Sequence, residues 1–292
     1  MDYQIPQGVH AVPREQLDLR PDAEIDHDLL HPAPVRDEKN IWFYWHTGYA
    51  TMYPYTKRNV RTWLRRFSKQ GWVIRVLDRN PGSPLNVSNY LDVMDPQTFP
   101  KAFIEGTLAG QYAVQHNSDL VRWPLLLKYG GIYADVGMIQ IGDIDRLWNE
   151  TIGNPSSPFE IFSYAADGPQ GRTLTNYFLA SHKDDPLFER CHRLLLALWA
   201  EDGGKTTTDG MHASPLLNGV PTMSGAGFAF EEDGRKYSDD DVGRLLTDYI
   251  IQGQVCLRIV ACQMPQLTAP GNDDGYGPCR RRRRLEWTRI CG

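Results

Sequence analysis

The stretch SDLVRWPLLLKYGGIYADVG, residues 118–137, places a helix, a glycine turn and a strand in immediate succession. Its first half has the apolar composition of a buried helix, and Gly130 is expected to cap the end of that helix. The next apolar residues, IYA at 132–134, predict a short buried strand that leads directly to Asp135. By residue type alone, Asp135 could be a turn aspartate or a functional carboxylate.

An earlier segment indicates the kind of sheet to which this strand belongs. The runs IWFYW (41–45) and WVIRVLD (72–78) are rich in β-forming residues, and YTKRNVRTWLRRF (55–67) between them has apolar residues at helical spacing. A strand, a helix and a strand within about forty residues form a βαβ unit, whose crossover implies parallel strands. We therefore expect an α/β fold with a mainly parallel sheet.

Weaker patterns complete the secondary-structure prediction. MIQI (138–141) is expected to continue as β-structure after Asp135, and the segments 186–201 and 239–254 have the periodicity of amphipathic helices. The pair Asp143 and Asp145 is followed by RLW, which favours a helix cap with an acidic first turn.

The chain divides into three parts by composition. Residues 1–39 are polar and carry five prolines, which predicts an extended N-terminal arm. Residues 40–270 contain the regular apolar patterns and are expected to form a single domain. Residues 271–292 form a basic C-terminal tail that includes the run Arg280–Arg284.

Charge and cysteine content limit the function classes. The formal net charge of −5 leaves no general basic excess for nucleic acid or an anionic membrane, so any such contact would have to be local. The five cysteines form no C-x-x-C pair, which fits a reducing compartment. No window is apolar enough for a membrane span or a secretory signal, and we expect a cytoplasmic protein.

Several chemically capable side chains follow the predicted strands. Ligands of an open parallel sheet bind at the carboxyl ends of its strands, so Trp45, His46, Asp78, Asp135 and Gly137 are expected to share one edge. Trp45 could stack on a base or belong to the core. His46 could act as a base or hydrogen-bond donor, or have a structural role.

The segment SDLVRWPLLLKYGGIYADVGMIQIGDIDRLW (118–148) resembles the signature of the glycosyltransferases that include the yeast-type initiation mannosyltransferases and the capsular-polysaccharide synthesis proteins. Their pattern runs S-D-L-x-R, a helix, Y-G-G-I-Y and D-x-D. The resemblance implies a single Rossmann-like nucleotide-sugar-transferase domain of the A-type glycosyltransferases. It also implies that Asp119 and Arg122 are active-site residues that contact the nucleotide sugar, and that Gly131 of the glycine turn takes part in substrate binding.

The same resemblance places Asp135 at the first position of the metal-binding D-x-D pair, which implies a divalent cation, Mn²⁺ or Mg²⁺. The second position of the pair is occupied by Gly137, which supplies no side-chain ligand. The chain therefore keeps one of the two carboxylates that are typical of the family.

Three functions fit these patterns. The first is a transferase that moves a sugar from a nucleotide-diphosphate-sugar donor to an acceptor. The second is a tRNA-dependent arginine-containing cyclodipeptide synthase on the same kind of fold, which would bind aminoacyl-tRNA and could contact nucleic acid through Arg280–Arg284. The third is a non-catalytic binding protein that retains the fold.

Overall fold

A computed structural model of the protein describes residues 11–140, 142–168 and 171–263. The strands are β1 Asn40–Tyr44, β2 Val73–Leu77, β3 Gly131–Ala134, β4 Ile161–Gly168, β5 Gly171–Ser181, β6 Phe230–Glu232 and β7 Arg235–Tyr237. The helices are α1 Asp22–Leu30, α2 Pro54–Phe67, α3 Lys101–Ile104, α4 Ala113–Tyr129, α5 Ile144–Glu150, α6 Pro186–Ala200, α7 Asp239–Tyr249 and α8 Ile251–Gln263.

The central sheet has five strands in the order β2-β1-β3-β5-β4. β1 pairs in parallel with β2 on one side and β3 on the other, while β5 is antiparallel to both β3 and β4. Four of the five strands therefore point in the same direction. This arrangement confirms the predicted α/β class with a mainly parallel sheet.

Both faces of the sheet are covered by helices. Successive side chains of a strand point to opposite faces, so neighbouring residues belong to different core clusters. Trp42 and Tyr133 belong to a core cluster with residues of α4, α6 and α8. Phe43 and Ile132 belong to a second cluster with residues of α1 and α2. Full burial of a large apolar side chain stabilises the folded state by about 1.5–3 kcal/mol. The two clusters therefore hold β1 and β3 in position between the helices.

The prediction of an extended arm over residues 1–39 is wrong for the part that forms α1. Pro21 immediately precedes the helix, a position that proline tolerates well, so the prolines of this region bracket the helix instead of breaking it. Ile25 and Leu29, four residues apart, are fully buried in the α2-side cluster. Asp26 accepts hydrogen bonds from Arg61 of α2. Residues 22–30 of the arm are thus part of the folded core.

The prediction of β-structure at 138–141 is also wrong for residues 138–140, and Ile141 lies outside the described residues. The chain turns at Asp135, whose carbonyl accepts the N–H of Met138 at 3.0 Å. Side chains of α2 then take the carbonyl groups that a neighbouring strand would have used: Asn59 and Trp63 both donate to the carbonyl of Met138. Hydrogen bonds from side chains of α2 to backbone carbonyl groups therefore replace the pairing with a neighbouring strand.

The predicted helix at 239–254 is two helices, since α7 ends at Tyr249 and α8 begins at Ile251. The prediction for Asp143 is confirmed, because its carboxylate accepts the N–H of Arg146 at 3.0 Å and caps α5. The end of the predicted domain at 264–270, the tail 271–292 and the run Arg280–Arg284 lie outside the described residues.

Within the part of the chain that the structure describes, no helix combines the length and the apolar character needed to cross a membrane.

Two glycines allow the chain to pass from α4 into β3 without a loop. Gly130 ends α4 with φ +66° and donates its N–H to the carbonyl of Leu126, as predicted. Gly131 follows with φ +96°, and a Cβ there would lie 2.4 Å from the carbonyl oxygen of Asn40 on β1. Only glycine combines this conformation with so close a backbone approach.

Gly131→Ala is expected to lower the free energy of unfolding by about 2–4 kcal/mol, because it adds both a clash and a strained φ. Gly137→Ala is the matched control. A Cβ at Gly137 would meet nothing within 4 Å and its φ lies outside the left-handed region, so its cost should stay below about 0.5 kcal/mol. Urea denaturation measures both values, and equal stability of the two variants would contradict this account of the turn.

Candidate functional site

A cleft of about 520 Å³ lies at the carboxyl ends of β1 and β3. It is lined by Tyr44, Trp45, His46, Thr47, Val114, Gln115, Ser118, Asp119, Arg122, Asp135, Val136, Asn176, Tyr177, Tyr249 and Ile250. A larger depression of about 860 Å³ lies against residues between 14 and 20 and Lys69, and it contains no strand-end residue. The cleft is therefore the candidate functional site.

Asp119 of α4 is buried at the floor of the cleft, and both of its oxygens are engaged. Oδ1 lies 2.7 Å from Nη2 of Arg122 and 3.4 Å from the side-chain nitrogen of Asn176. Oδ2 lies 3.2 Å from Nδ1 of His116, whose other ring nitrogen lies 3.1 Å from the hydroxyl of Thr208. Asp119 is thus held by protein groups on all sides.

Arg122, one turn further along α4, is also buried. Its guanidinium donates to the carbonyl of Asn176 and to Oγ of Ser118, and it lies over the ring of Tyr133 at 4.7 Å. Burial opposes its charge, but the carboxylates of Asp119 and Asp135 outweigh that effect and raise its pKa. Arg122 is a permanent cation inside the protein.

Asp135 is the carboxylate that reaches the solvent in the cleft. Its side chain is 43% exposed, against 12% for Asp119, and its Oδ1 lies 3.5 Å from Nη2 of Arg122. The partly enclosed position raises the pKa of Asp135, Arg122 lowers it, and the charge of Asp119 raises it again. Asp135 therefore has an oxygen available for a ligand, with a buried cation behind it.

Trp45 and His46 line the same cleft, as their positions after β1 predicted. Nδ1 of His46 lies 3.0 Å from the hydroxyl of Tyr44. Partial burial lowers the pKa of His46, and the nearby charge of Arg79 lowers it further. At neutral pH His46 is therefore an uncharged imidazole at the wall of the cleft.

The other predicted binding residues lie outside the cleft lining. Asp78 is buried, and its carboxylate accepts the N–H of Asn80 at 2.9 Å and the hydroxyl of Ser83 at 2.7 Å, which closes the turn after β2. Gly131 lies at the amino end of β3, opposite to Asp135. Gly137 is exposed in the turn that follows Asp135. The strand-end rule identifies positions along the chain, but it does not show which way a side chain points.

The sequence predictions did not include Ser118, Asn176 or Tyr249, which line the cleft. Ser118 lies on the same face of α4 as Arg122, and its hydroxyl lies 2.6 Å from that of Tyr133. Asn176 comes from β5, and Tyr249 comes from the junction of α7 and α8. The i, i+4 spacing of Ser118 and Arg122 was a usable signal. Nothing in the sequence indicates that β5 and the α7–α8 junction approach Asp135.

The donor atoms of the cleft determine how a divalent cation could fit. No group of three or more His, Cys, Asp or Glu side chains among the described residues is arranged to hold a metal ion. The oxygens of Asp119 are engaged, and Gly137 has no side chain. Mg²⁺ is commonly held by one or two carboxylates together with substrate phosphates. Asp135 therefore fits a cation that arrives with a phosphate ligand.

Comparison with known proteins shows the family of the chain. Residues 10–205 match the family described as capsular polysaccharide synthesis protein. The chain belongs to this family. The family match ends after residue 205, so it includes Asp119, Arg122 and Asp135 but does not include Tyr249.

Three relatives carry glycosyltransferase names. The chain is 36% identical over 221 residues to the O-glycosyltransferase braB of Annulohypoxylon truncatum, covering 75% of this chain and 51% of the relative. It is 38% identical over 223 residues to the O-glycosyltransferase PaGT of Phomopsis amygdali, covering 75% and 52%. It is 39% identical over 203 residues to the probable glycosyltransferase FCK3 of Fusarium pseudograminearum, covering 70% and 49%.

The chain thus spans about half the length of the curated relatives it matches. The resemblance that residues 118–148 predicted is confirmed at the level of the family.

Arg122→Ala is expected to lower the free energy of unfolding by about 3–5 kcal/mol, because it leaves the buried carboxylate of Asp119 without its cation. The matched control is Arg244→Ala. Arg244 makes a similar 2.7 Å ion pair three residues away, with Asp241, but on the surface, where solvent screens the pair and its loss should scarcely change stability. Urea denaturation distinguishes the two, and a wild-type midpoint for Arg122→Ala would refute the buried ion network.

Proposed function

We propose that this protein transfers a sugar from a nucleotide-diphosphate sugar to an acceptor hydroxyl, with Asp135 at the reacting centre. The observation that carries the proposal is the exposed carboxylate at the end of β3, backed by the buried guanidinium of Arg122. Membership of the capsular polysaccharide synthesis protein family and the names of the relatives support the same reaction class.

In this reaction the bond between the sugar and the diphosphate breaks and a bond from the sugar to the acceptor oxygen forms, while the proton of the acceptor hydroxyl passes to the leaving diphosphate or to water. The main requirement is compensation of the negative charge that develops on the leaving diphosphate. The charged residues that line the cleft are two carboxylates and one guanidinium, a formal charge of −1. The residues of the cleft therefore cannot neutralise a diphosphate alone.

Asp135 is the residue that would hold a divalent cation, Mg²⁺ or Mn²⁺, and such an ion would supply positive charge next to the leaving group. Arg122 contributes by keeping Asp135 ionised and in place, since both of its neighbours, Asp119 and Asp135, depend on its charge. His46, uncharged and at the cleft wall, is positioned as a hydrogen-bonding group for the sugar or the acceptor.

Nothing in the described cleft favours aminoacyl-tRNA as the donor. A tRNA backbone is bound through several lysine and arginine contacts to phosphates. Arg122 is the one lysine or arginine among the described lining residues, and it is buried among protein groups.

Asp135→Asn is expected to reduce transfer at least 100-fold and to weaken nucleotide-sugar binding at least tenfold, because the amide cannot replace the charge of the carboxylate. The free energy of unfolding should change by less than about 1 kcal/mol, since the cleft already disfavours the charge of Asp135. Binding is measured as the rise of the melting temperature with UDP- or GDP-sugar and MnCl₂.

Asp143→Asn is the matched control for this experiment. It removes a carboxylate from the literal D-x-D at 143–145 while keeping a good helix cap, so ligand stabilisation should remain at the wild-type level. Equal ligand stabilisation of wild type and Asp135→Asn would overturn the assignment of the site. Stabilisation by charged tRNA and by no nucleotide sugar would replace glycosyl transfer with a tRNA-dependent reaction.

A further inference from the structure

Three aromatic rings, each in contact with the next, extend outward from the cleft. The ring of Trp45, at the cleft wall, meets the ring of Tyr53 edge-on, with centroids 5.7 Å apart and an interplanar angle of 82°. Tyr53 is parallel to Tyr55, with an interplanar angle of 4° and centroids 6.1 Å apart. We call Trp45, Tyr53 and Tyr55 the aromatic platform.

The two tyrosines of the platform do not pack in the hydrophobic core. Tyr53 is 60% exposed and Tyr55 is 62% exposed, while the buried residues of α2 lie on another face of the helix. No hydrogen bond is made by either hydroxyl within the part of the chain that the structure describes. Neighbouring exposed rings of this kind mark interaction sites on protein surfaces more often than isolated apolar residues do.

The backbone that carries the two tyrosines is restrained. Tyr53 is the cap residue of α2 in an extended conformation, and Pro54 begins the helix at its first position. Proline fixes its own φ and restricts the residue before it, so the backbone positions of Tyr53 and Tyr55 relative to each other are largely set by the chain. A restrained backbone loses less entropy on binding than a flexible loop.

Lys57 and Asn59, which lie close to the platform along α2, have partners in the protein. Lys57 donates to the carbonyl of Ala50 and lies over the ring of Tyr49 at 5.5 Å. Asn59 donates to the carbonyls of Val136 and Met138. Arg58, three residues after Tyr55, is an exposed charged group beside the platform. The ring faces of Tyr53 and Tyr55 are the main surface that the platform offers, and they suit a planar group that stacks.

We propose that the aromatic platform is the acceptor subsite and that it binds a planar, mainly apolar acceptor with a hydroxyl group. This inference rests on the proposed glycosyl transfer. Because Trp45 and Asp135 line the same cleft, an acceptor stacked on Tyr53 and Tyr55 has a continuous path to the reacting centre. Exposed apolar side chains elsewhere at the cleft, Val114 and Tyr177, extend the apolar character of its mouth.

The test measures binding of 7-hydroxycoumarin, a planar fluorescent phenol, by fluorescence anisotropy, so it does not depend on activity. Tyr53→Ala/Tyr55→Ala should weaken its binding about tenfold, because two stacking surfaces are lost. Tyr53→Phe/Tyr55→Phe keeps both rings and should bind within about twofold of wild type. Phe228→Ala is the matched control, since Phe228 is 68% exposed and does not line the cleft.

The single variant Tyr55→Ala, which changes one exposed side chain outside the core, provides a second measurement with an expected loss of about threefold. Unchanged coumarin binding in both alanine variants would overturn the proposal. Displacement of the coumarin by cellobiose at lower concentration than by 4-nitrophenol would also overturn it, in favour of a carbohydrate acceptor.

The same variants separate this inference from the proposed function. Stabilisation by UDP- or GDP-sugar with MnCl₂ should be equal in wild type and in Tyr53→Ala/Tyr55→Ala, because the platform receives the acceptor alone. If the alanine variants lose coumarin binding but no nucleotide sugar raises the melting temperature, the platform is a binding site and glycosyl transfer is rejected. If a nucleotide sugar raises the melting temperature but coumarin binds the alanine variants as it binds wild type, the transfer is retained and the platform is rejected.

Discussion

The buried guanidinium of Arg122 is the interaction on which the arrangement of the site depends. A charge inside a protein is tolerated only with partners that satisfy it, and here the partners come from α4, β3 and β5. Each partner has to be in place for the cation to be stable, so the ion network fixes the helix against two strands. The same cation lies behind Asp135 and fixes the position of the carboxylate that faces the cleft.

This network gives two carboxylates of the same segment different tasks. Asp119 is surrounded by Arg122, His116 and Asn176, so it serves to hold the cation and to keep α4 in register with the sheet. Asp135, at the open end of a strand, keeps an oxygen for a ligand. Structural charge compensation and exposure to the cleft are thus divided between two carboxylates of one helix–strand segment.

The glycine turn explains how a strand of four residues, β3, can position Asp135 at the cleft. Because Gly130 and Gly131 adopt conformations that other residues avoid, α4 ends and β3 begins in consecutive residues. β3 then crosses the sheet in four residues and delivers Asp135 at the carboxyl edge. Next to the cleft, Tyr53 at the start of α2 lies against Trp45 of the cleft wall.

The sequence by itself determined the α/β class, the βαβ unit, the helix that ends at Gly130 and the position of Asp135, because these follow from periodicity and from glycine conformation within short segments. It also indicated the family through residues 118–148. It did not determine that residues 22–30 form a helix of the core, since Ile25 and Leu29 become informative only when α2 is there to pack against them. Nor did it separate Asp119 from Asp135, or Asp78 from the cleft, because exposure of a carboxylate depends on neighbours that are distant along the chain. Asn176 and Tyr249 reach the cleft through the antiparallel return of β5 and the break between α7 and α8, which only the tertiary structure decides.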